Sequence, residues 1–368
     1  MDLSVKHTLR PFSHLPGTST PLPGSTYLIR IYPCLIEVYS IAESSPQFIQ
    51  SFHLDLKGPV EQFTVWNDLE KSRITVGGKT SDGWIRYHLS AHSSNSGILF
   101  ICDRVPGLSL TMYSESKPRT IHRNEGFDLF TYENSSLICL KQCQEQLSFG
   151  NYKAQDIELI RRRLNIQEIF PLWYRMGQLF SLQTSQYKAE GNLLLLEDCK
   201  KSLLENHPEK DNRLWLNLFQ AGFTSLFSPQ LVDSNHLGLI SSSEIQYQQI
   251  SPLTLLVEGA RVIREMFLSQ RNNQLFVLPH LLPELHCGTF LNVEISQIGT
   301  MSIEWTKKTI RRCVFYSKHN QEIEFIFKSN VQSYRLRDSS KQMNLKCNRA
   351  SLLTLQENTH YFFDNFMG

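Results

Sequence analysis

The chain has 368 residues, 41% of them hydrophobic and 20% charged, which is ordinary for a folded globular protein. Its length predicts two or three domains. The 37 lysines and arginines nearly balance the 35 acidic residues, so we expect no nucleic-acid partner, which would need a strong basic excess. The start of the chain shows no secretion signal, and no apolar run reaches the length of about 18 residues that spans a bilayer. We therefore expect no membrane span.

The eight cysteines are scattered, and most lie in apolar, strand-like segments. Only Cys139 and Cys143 are close together, and such a pair without a second pair or a nearby histidine is a weak metal signal. His280 and His286 flank a proline turn, where packed or exposed side chains are commoner than metal ligands. The sequence predicts buried, reduced thiols, neither metal nor cofactor, and a cytoplasmic location.

The first half of the chain has the pattern of an antiparallel β-sandwich. Residues 1–26 are rich in Pro, Ser, Thr and Gly and predict an extended lead-in with little structure of its own. Residues 27–150 contain short segments of alternating apolar and polar residues, such as 84–89, separated by Gly and Asn turns. That period of two predicts an N-terminal sandwich over 27–150.

The pattern changes to a helical period over residues 151–274, where four or five helices fit. Pro171 predicts a break in the first of them. The clearest helix, over 253–268, begins after Ser251-Pro252, with Ser251 at the cap. Strand-like alternation returns over 275–368, which predicts a small C-terminal β domain. The order β, then α, then β indicates a multidomain α+β fold.

Three smaller features of the C-terminal domain complete this prediction. The segment from Leu278 to Pro283 is expected to turn the chain from the last helix into the β domain, which packs back on the helices and the sandwich. Residues 351–355 predict one more strand, and residues 361–363 a docked tail.

The stretch from Val262 to Gly288 resembles the end of the catalytic barrel in the inverting α-L-fucosidase family of glycoside hydrolases. In that family a last helix is followed by an apolar strand, a Leu-Pro-x-Leu-Pro turn, a Gly and a small β domain. Here Leu278-Pro279-His280-Leu281-Leu282-Pro283 holds the place of the turn, and Gly299 and Glu304-Trp305 follow in the family's order.

Fainter similarities to the same family lie upstream. Residues 52–56 and 85–91 resemble strands of its N-terminal sandwich. Residues 171–182 resemble a barrel helix, with Gln178 in place of the family's Arg. Glu190-Gly191-Asn192 resembles a Gln-Gly motif, with Leu193 in place of the Trp that follows it. The resemblance therefore touches all three regions in the right order.

The resemblance implies a six-hairpin barrel of twelve helices, which cannot fit here. Twelve helices of average length need about 130 residues before any connection is counted, and about 115 are available. Inverting hydrolysis needs a carboxylic acid and a base about 6.5–9.5 Å apart, and no stretch matches the family's acid-bearing motif. Glu258 and Glu265 fall on the polar face of a helix and are expected to be solvated.

The candidate site residues all lie in the helical middle. Glu190 is the one candidate catalytic residue, because it lies near a plausible sugar-facing loop. Asn192 and Trp173 are the candidate ligand-binding residues, since aromatic rings suit the apolar faces of sugars. Trp173 and Trp215 also occupy core-like positions of their helices, so packing is the alternative for them.

Three functions remain open from the sequence. The first is a catalytically degenerate, glycosidase-like protein that binds a glycan. The second is a structural or protein-interaction module that presents a β surface to a partner. The third is a small active glycosidase with a site rebuilt on the remaining helices.

Overall fold

The computed structural model describes residues 8–92, 97–115, 118–129, 145–151, 153–180, 189–205, 208–233, 250–340 and 343–368. These residues form an α+β structure in which an N-terminal β-sandwich, five helices and a C-terminal pair of sheets follow one another. The α+β fold predicted from the sequence is confirmed.

Twelve strands build the N-terminal sandwich. They are β1 (Phe12–Ser13), β2 (Thr18–Pro21), β3 (Tyr27–Tyr32), β4 (Leu35–Ser40), β5 (Gln47–Leu54), β6 (Glu61–Asp68), β7 (Arg73–Thr80), β8 (Gly83–Ala91), β9 (Ile98–Arg104), β10 (Leu110–Tyr113), β11 (Arg119–Ile121) and β12 (Glu125–Asp128). One antiparallel sheet, called here the first sheet, has the order β1-β6-β7-β8-β9-β12. The other has the order β11-β10-β5-β4-β3-β2.

The sandwich closes because alternate residues of each strand are apolar and meet in one core. In β8, for example, Ile85, Tyr87 and Leu89 are buried between the sheets. One polar side chain also crosses the gap. Asn67, on the first sheet, donates from Nδ2 to Thr20 Oγ1 at 2.8 Å, so this buried amide nitrogen links the two sheets.

The lead-in is more ordered than its composition predicted. β1 pairs with β6, with Phe12 opposite Trp66, and β2 pairs with β3. The proline- and glycine-rich segment between them only turns the chain from one sheet to the other. Partners far along the chain supply the strand pairing, and local composition does not report them.

The five helices are α1 (Ile157–Arg163), α2 (Ile166–Gln178), α3 (Asn192–Glu205), α4 (Pro208–Gly222) and α5 (Leu253–Phe267). The predicted break at Pro171 is wrong, because α2 runs through this residue. The chain breaks earlier, at Leu164, which adopts a left-handed conformation, and Asn165 then caps α2. α5 begins at Leu253 as predicted, but its N-cap residue is Pro252 and not Ser251. Ser251 Oγ still accepts from Leu253 N at 3.2 Å.

The remaining strands are β13 (Gln146–Ser148), β14 (Phe223–Thr224), β15 (Ser228–Pro229), β16 (Leu268–Arg271), β17 (Gln274–Val277), β18 (Gly288–Ile295), β19 (Gly299–Thr306), β20 (Thr309–Ser317), β21 (Gln321–Phe327), β22 (Ser333–Asp338), β23 (Asn344–Asn348), β24 (Ala350–Leu355) and β25 (Thr359–Met367). A seven-stranded sheet has the order β13-β18-β19-β20-β25-β22-β23, and a four-stranded sheet the order β16-β17-β21-β24.

The boundaries of the C-terminal domain differ from those drawn on the sequence. β13, placed in the sandwich by its alternation, pairs with β18 and so joins the C-terminal sheet. Residues 361–363, expected as a docked tail, lie in β25 between β20 and β22. The strand predicted over 351–355 is present as β24. None of the helices in the described ranges is long and apolar enough to cross a bilayer.

The C-terminal sheets pack directly on the helices. Trp305 stacks on Phe267, with ring centroids 5.5 Å apart, and donates from Nε1 to Leu285 O at 2.9 Å. Tyr174 of α2 meets Phe290 edge to face at 5.4 Å. This packing of the β domain on the helices agrees with the expectation from sequence.

Candidate ligand-binding face

Trp173, a candidate ligand-binding residue, lies in the helical core. Its side chain is fully buried, and Nε1 donates to Leu256 O of α5 at 3.1 Å. The ring is edge-on to Phe223, with centroids 4.6 Å apart. Its candidate companion Trp215 is buried beside it, 5.6 Å away between centroids. Core packing, the alternative left open for both residues, is what the structure shows.

Asn192, the other candidate ligand-binding residue, connects two backbone segments. It is 3% exposed, and Nδ2 donates to Ala221 O at 2.9 Å and Gln230 O at 2.8 Å. Both amide hydrogens are therefore engaged inside the protein. Glu190 is partly exposed at the start of the turn before α3, where its carbonyl accepts from Leu193 N at 3.1 Å. Its catalytic role stays a prediction.

The two carboxylates of α5 differ from each other. Glu265 is exposed, as expected. Glu258, also expected to be solvated, is 4% exposed and lies 3.0 Å from Arg261 Nη1. The prediction for Glu258 is wrong because neighbouring elements cover that side of the helix. Helical period alone cannot show which polar positions are covered.

A shallow cleft opens where the lead-in, α1, α2 and the end of β13 meet. Glu168 lies in its wall, with Oε1 3.3 Å from Lys153 Nζ and 3.1 Å from Arg163 Nε. Burial raises the pKa of Glu168, but hydrogen bonds and charges from Arg163 and Lys153 outweigh it, and the pKa is lowered overall. The carboxyl group is therefore ionised, which does not suit a general acid.

Other polar groups in this cleft also hold the protein together. Gln155 accepts from Arg10 N at 2.6 Å and donates to Thr8 O at 3.0 Å. Gln167 donates to Glu284 O at 2.6 Å. Because these amides already have internal partners, the cleft has the character of a structural joint.

The outer face of the first sheet differs from that cleft. On β8, the residues Trp84, Arg86 and His88 alternate with buried apolar residues and so point away from the core. Trp84 is 47% exposed, and the side chain of Arg86 is 44% exposed. Lys79 of β7 lies opposite Trp84 in register and is also exposed. We call Lys79, Trp84, Arg86 and His88 the β8 face.

Three loops support the exposed end of the β8 face. Ser81 N donates to Lys57 O at 3.3 Å, and Gly107 N donates to Asp82 O at 3.2 Å. A salt bridge of 3.2 Å joins Lys57 Nζ to Asp82 Oδ2. These hydrogen bonds and the salt bridge connect the loops to one another, so the loops beside Trp84 are held in fixed positions. Leu108, at the tip of the third loop, is 95% exposed.

The β8 face has the groups that recognise a polar ligand with an apolar side. The Trp84 ring offers a flat apolar surface, and Arg86 and Lys79 offer hydrogen-bond donors beside it. Sequence reasoning assigned 84–89 to a strand but did not select these residues as a site. The available signal was a tryptophan at a polar position of an alternating strand, where a charged residue is more usual.

Metal ligation finds no support in the part of the chain that the structure describes, which holds no group of three or more His, Cys, Asp or Glu side chains placed to bind an ion. His286 Nδ1 lies 3.1 Å from Glu284 O, as a turn residue would. Cys139 and Cys143 lie outside the described residues. No protein-family model matches this chain, and no curated protein sequence matches it.

Proposed function

We propose that this chain is a glycosidase-like protein that binds a glycan without cleaving it, through the β8 face. The observation that carries the proposal is the half-exposed ring of Trp84 beside Lys79 and Arg86 on rigid strands. A sugar ring can stack on the indole while the two cationic side chains donate to its hydroxyl groups. A site on strands needs little ordering on binding, which favours affinity.

The order of elements supports the glycosidase-like part of this proposal. Residues 262–267 end α5, and β18, β19 and β20 follow as an antiparallel meander after the Leu278–Pro283 turn. This is the order that the resemblance to the inverting α-L-fucosidases implies. A hairpin, β16-β17, stands where a single apolar strand was expected.

The absence of cleavage is supported by the state of the carboxylates in the helical middle. The carboxylate of Glu168 is held ionised by two cations, and Glu258 is buried against Arg261. An inverting enzyme needs one protonated carboxyl group and one free base on opposite sides of the sugar. The described helices between residues 157 and 267 number five, against the twelve of the family's barrel.

Glycan-array screening of the purified chain, followed by calorimetric titration of the best ligand, tests the proposal. We expect Trp84→Ala to weaken binding at least about tenfold, which corresponds to about 1.4 kcal/mol. Phe48→Ala is the matched control, because Phe48 is an aromatic residue that is 53% exposed on the other sheet. Absence of any glycan ligand, or equal losses in both variants, would contradict the proposal.

A protein-interaction module is the second candidate, and Leu108 favours it. Leu108 is 95% exposed at a loop tip, and burying a leucine side chain in a partner's pocket would contribute about 1.5–3 kcal/mol. Leu108→Asp should abolish capture of such a partner but leave glycan affinity within about twofold. If Leu108→Asp folds but no longer binds the glycan, Leu108 and the β8 face belong to one binding surface.

The proposal places the protein in the cytoplasm. The six cysteines that the structure describes are free thiols, and those at 102, 199, 313 and 347 are buried. Buried thiols that remain reduced are typical of a reducing compartment.

A further inference from the structure

A row of polar side chains crosses the middle of the first sheet and shares His88 with the β8 face. Trp66 of β6 lies opposite Thr75 of β7, which lies opposite His88 of β8. Thr75 is fully buried and His88 is 7% exposed, although both are on the outer side of the sheet. Arg73 contacts His88, with Arg73 Nη1 3.2 Å from His88 Nε2. Arg10 covers the Trp66 ring, 5.1 Å from its centroid.

Three buried polar atoms in this row make no hydrogen bond: Arg10 Nε, Arg73 Nε and Thr75 Oγ1. The two guanidinium nitrogens can only donate. Since Arg73 donates to His88 Nε2, neutral His88 carries its hydrogen on Nδ1, which is therefore a donor as well. The hydroxyl of Thr75 can also donate. The row thus offers three donors that lack an acceptor, and His88 Nδ1 as a fourth donor that is weakly paired with Asp103.

The carboxylates nearby are too far away to accept good hydrogen bonds from these donors. Asp68 Oδ2 is 3.8 Å from Arg10 Nε, and Asp103 Oδ2 is 3.7 Å from Arg86 Nε. Asp103 Oδ1 is 3.5 Å from His88 Nδ1, a long and therefore weak hydrogen bond. Burial lowers the pKa of Arg10, and the repulsion of Arg86 and Arg73 adds to this effect against the attraction of Asp68. The three guanidinium groups are therefore close enough to interact.

We propose that this row binds an anionic oxygen group of the glycan, a carboxylate or a sulfate or phosphate ester, between Arg10, Arg73 and Arg86. Arg10 and Arg73 are partly exposed and Arg86 is exposed, so an anion can reach all three side chains. It would accept from several of their N–H groups at once and offset the repulsion among the three cations. The inference rests on the proposed function and specifies its ligand class: an acidic sugar whose ring contacts Trp84 and whose charge lies toward His88.

Paired probes test the inference. Each acidic oligosaccharide (uronate, sulfated and phosphorylated) is titrated beside its neutral counterpart, such as the methyl ester of the uronate. We expect at least one acidic member to bind about tenfold more tightly than its neutral partner, and inorganic sulfate to compete with it. Added salt should lower the affinity for the acidic ligand, because salt screens the attraction between its anionic group and the arginines.

Substitutions distinguish a loss of charge at the site from a loss of folding. Arg73→Gln should reduce the affinity for the acidic ligand about tenfold and leave the neutral ligand unchanged. Thr75→Val, which replaces a buried hydroxyl by a methyl group, should have a smaller effect in the same direction. Arg271→Gln, at an exposed arginine of β16, is the matched control, and circular dichroism verifies that each variant is folded.

The outcomes distinguish the two proposals. Equal affinities within every pair would overturn the acidic-ligand inference while glycan binding itself stood. An undiminished affinity of Arg73→Gln for the acidic ligand would overturn the position of the site. If no member of any pair binds the parent chain, the proposed function is overturned together with the inference.

Discussion

The indole of Trp173 lies directly against Gly259, so close that a Cβ atom at position 259 would be 2.3 Å from Trp173 Cζ2. A second glycine, Gly177 of α2, lies against the same face of α5. A Cβ atom at position 177 would be 2.3 Å from Ala260 Cβ. Helices α2 and α5 therefore cross at unusually small side chains, and the crossing leaves room for a tryptophan between them.

Gly259→Ala is expected to destabilise the fold by about 1–3 kcal/mol, because the added methyl group cannot enter without moving the Trp173 ring. This loss should exceed the small gain in helix propensity that alanine offers. Urea denaturation measures the effect, and Glu265→Ala on the exposed side of α5 is the control. An unchanged unfolding midpoint for Gly259→Ala would contradict the packing described here.

Asn192→Ala should lower stability by about 1–3 kcal/mol without changing glycan affinity. The substitution removes the side-chain donor to Gln230 O, whereas Ala221 O keeps Gln230 Nε2 as a second donor at 2.7 Å. Thermal unfolding and calorimetric titration, performed on the same sample, separate the two effects. A loss of affinity at unchanged stability would instead return Asn192 to the role of a ligand-binding residue.

The ion pairs of Glu168 predict a stability that depends on pH. Because Arg163 and Lys153 hold its folded-state pKa below the ordinary value of 4.5, the carboxylate stabilises the fold fully above pH 4.5. That contribution is lost as the pH falls through the lowered, folded-state pKa.

Glu168→Gln should therefore be less stable than the parent chain by about 2 kcal/mol at pH 7. The difference should shrink below pH 4.5, where the unfolded chain takes up a proton first. Chemical denaturation at a series of pH values gives the curve. A difference that stays constant down to the acid limit of folding would show that the ion pairs do not set it.

We expect no hydrolysis of aryl-fucosides or other aryl-glycosides by the purified chain. Glu190→Gln should be indistinguishable from the parent in this assay, because the proposal gives the chain no working acid. Release of the aryl group above the rate of the buffer, abolished in Glu190→Gln, would establish the third function considered above, a small active glycosidase.

The candidate site shows where sequence reasoning was sufficient and where it was not. The alternation of 84–89 revealed the strand and the buried side of Ile85, Tyr87 and Leu89, since period two depends only on neighbouring residues. The row from Trp66 through Thr75 to His88 joins three strands, and their register depends on pairings that no local pattern records. For the same reason the sequence points to Trp173 by residue type and to Asn192 by motif position, and their internal partners are visible only in the packed structure.

The alternating and helical periods of the sequence determined the order of the sandwich, the helices and the C-terminal sheets, because each period reflects which side of a local element avoids water. Only the tertiary structure decided which polar residues lie covered, which strand joins which sheet, and where donors remain unpaired. Those properties depend on contacts between residues distant in the chain, such as Arg10 with Trp66 and Glu145 with Arg264.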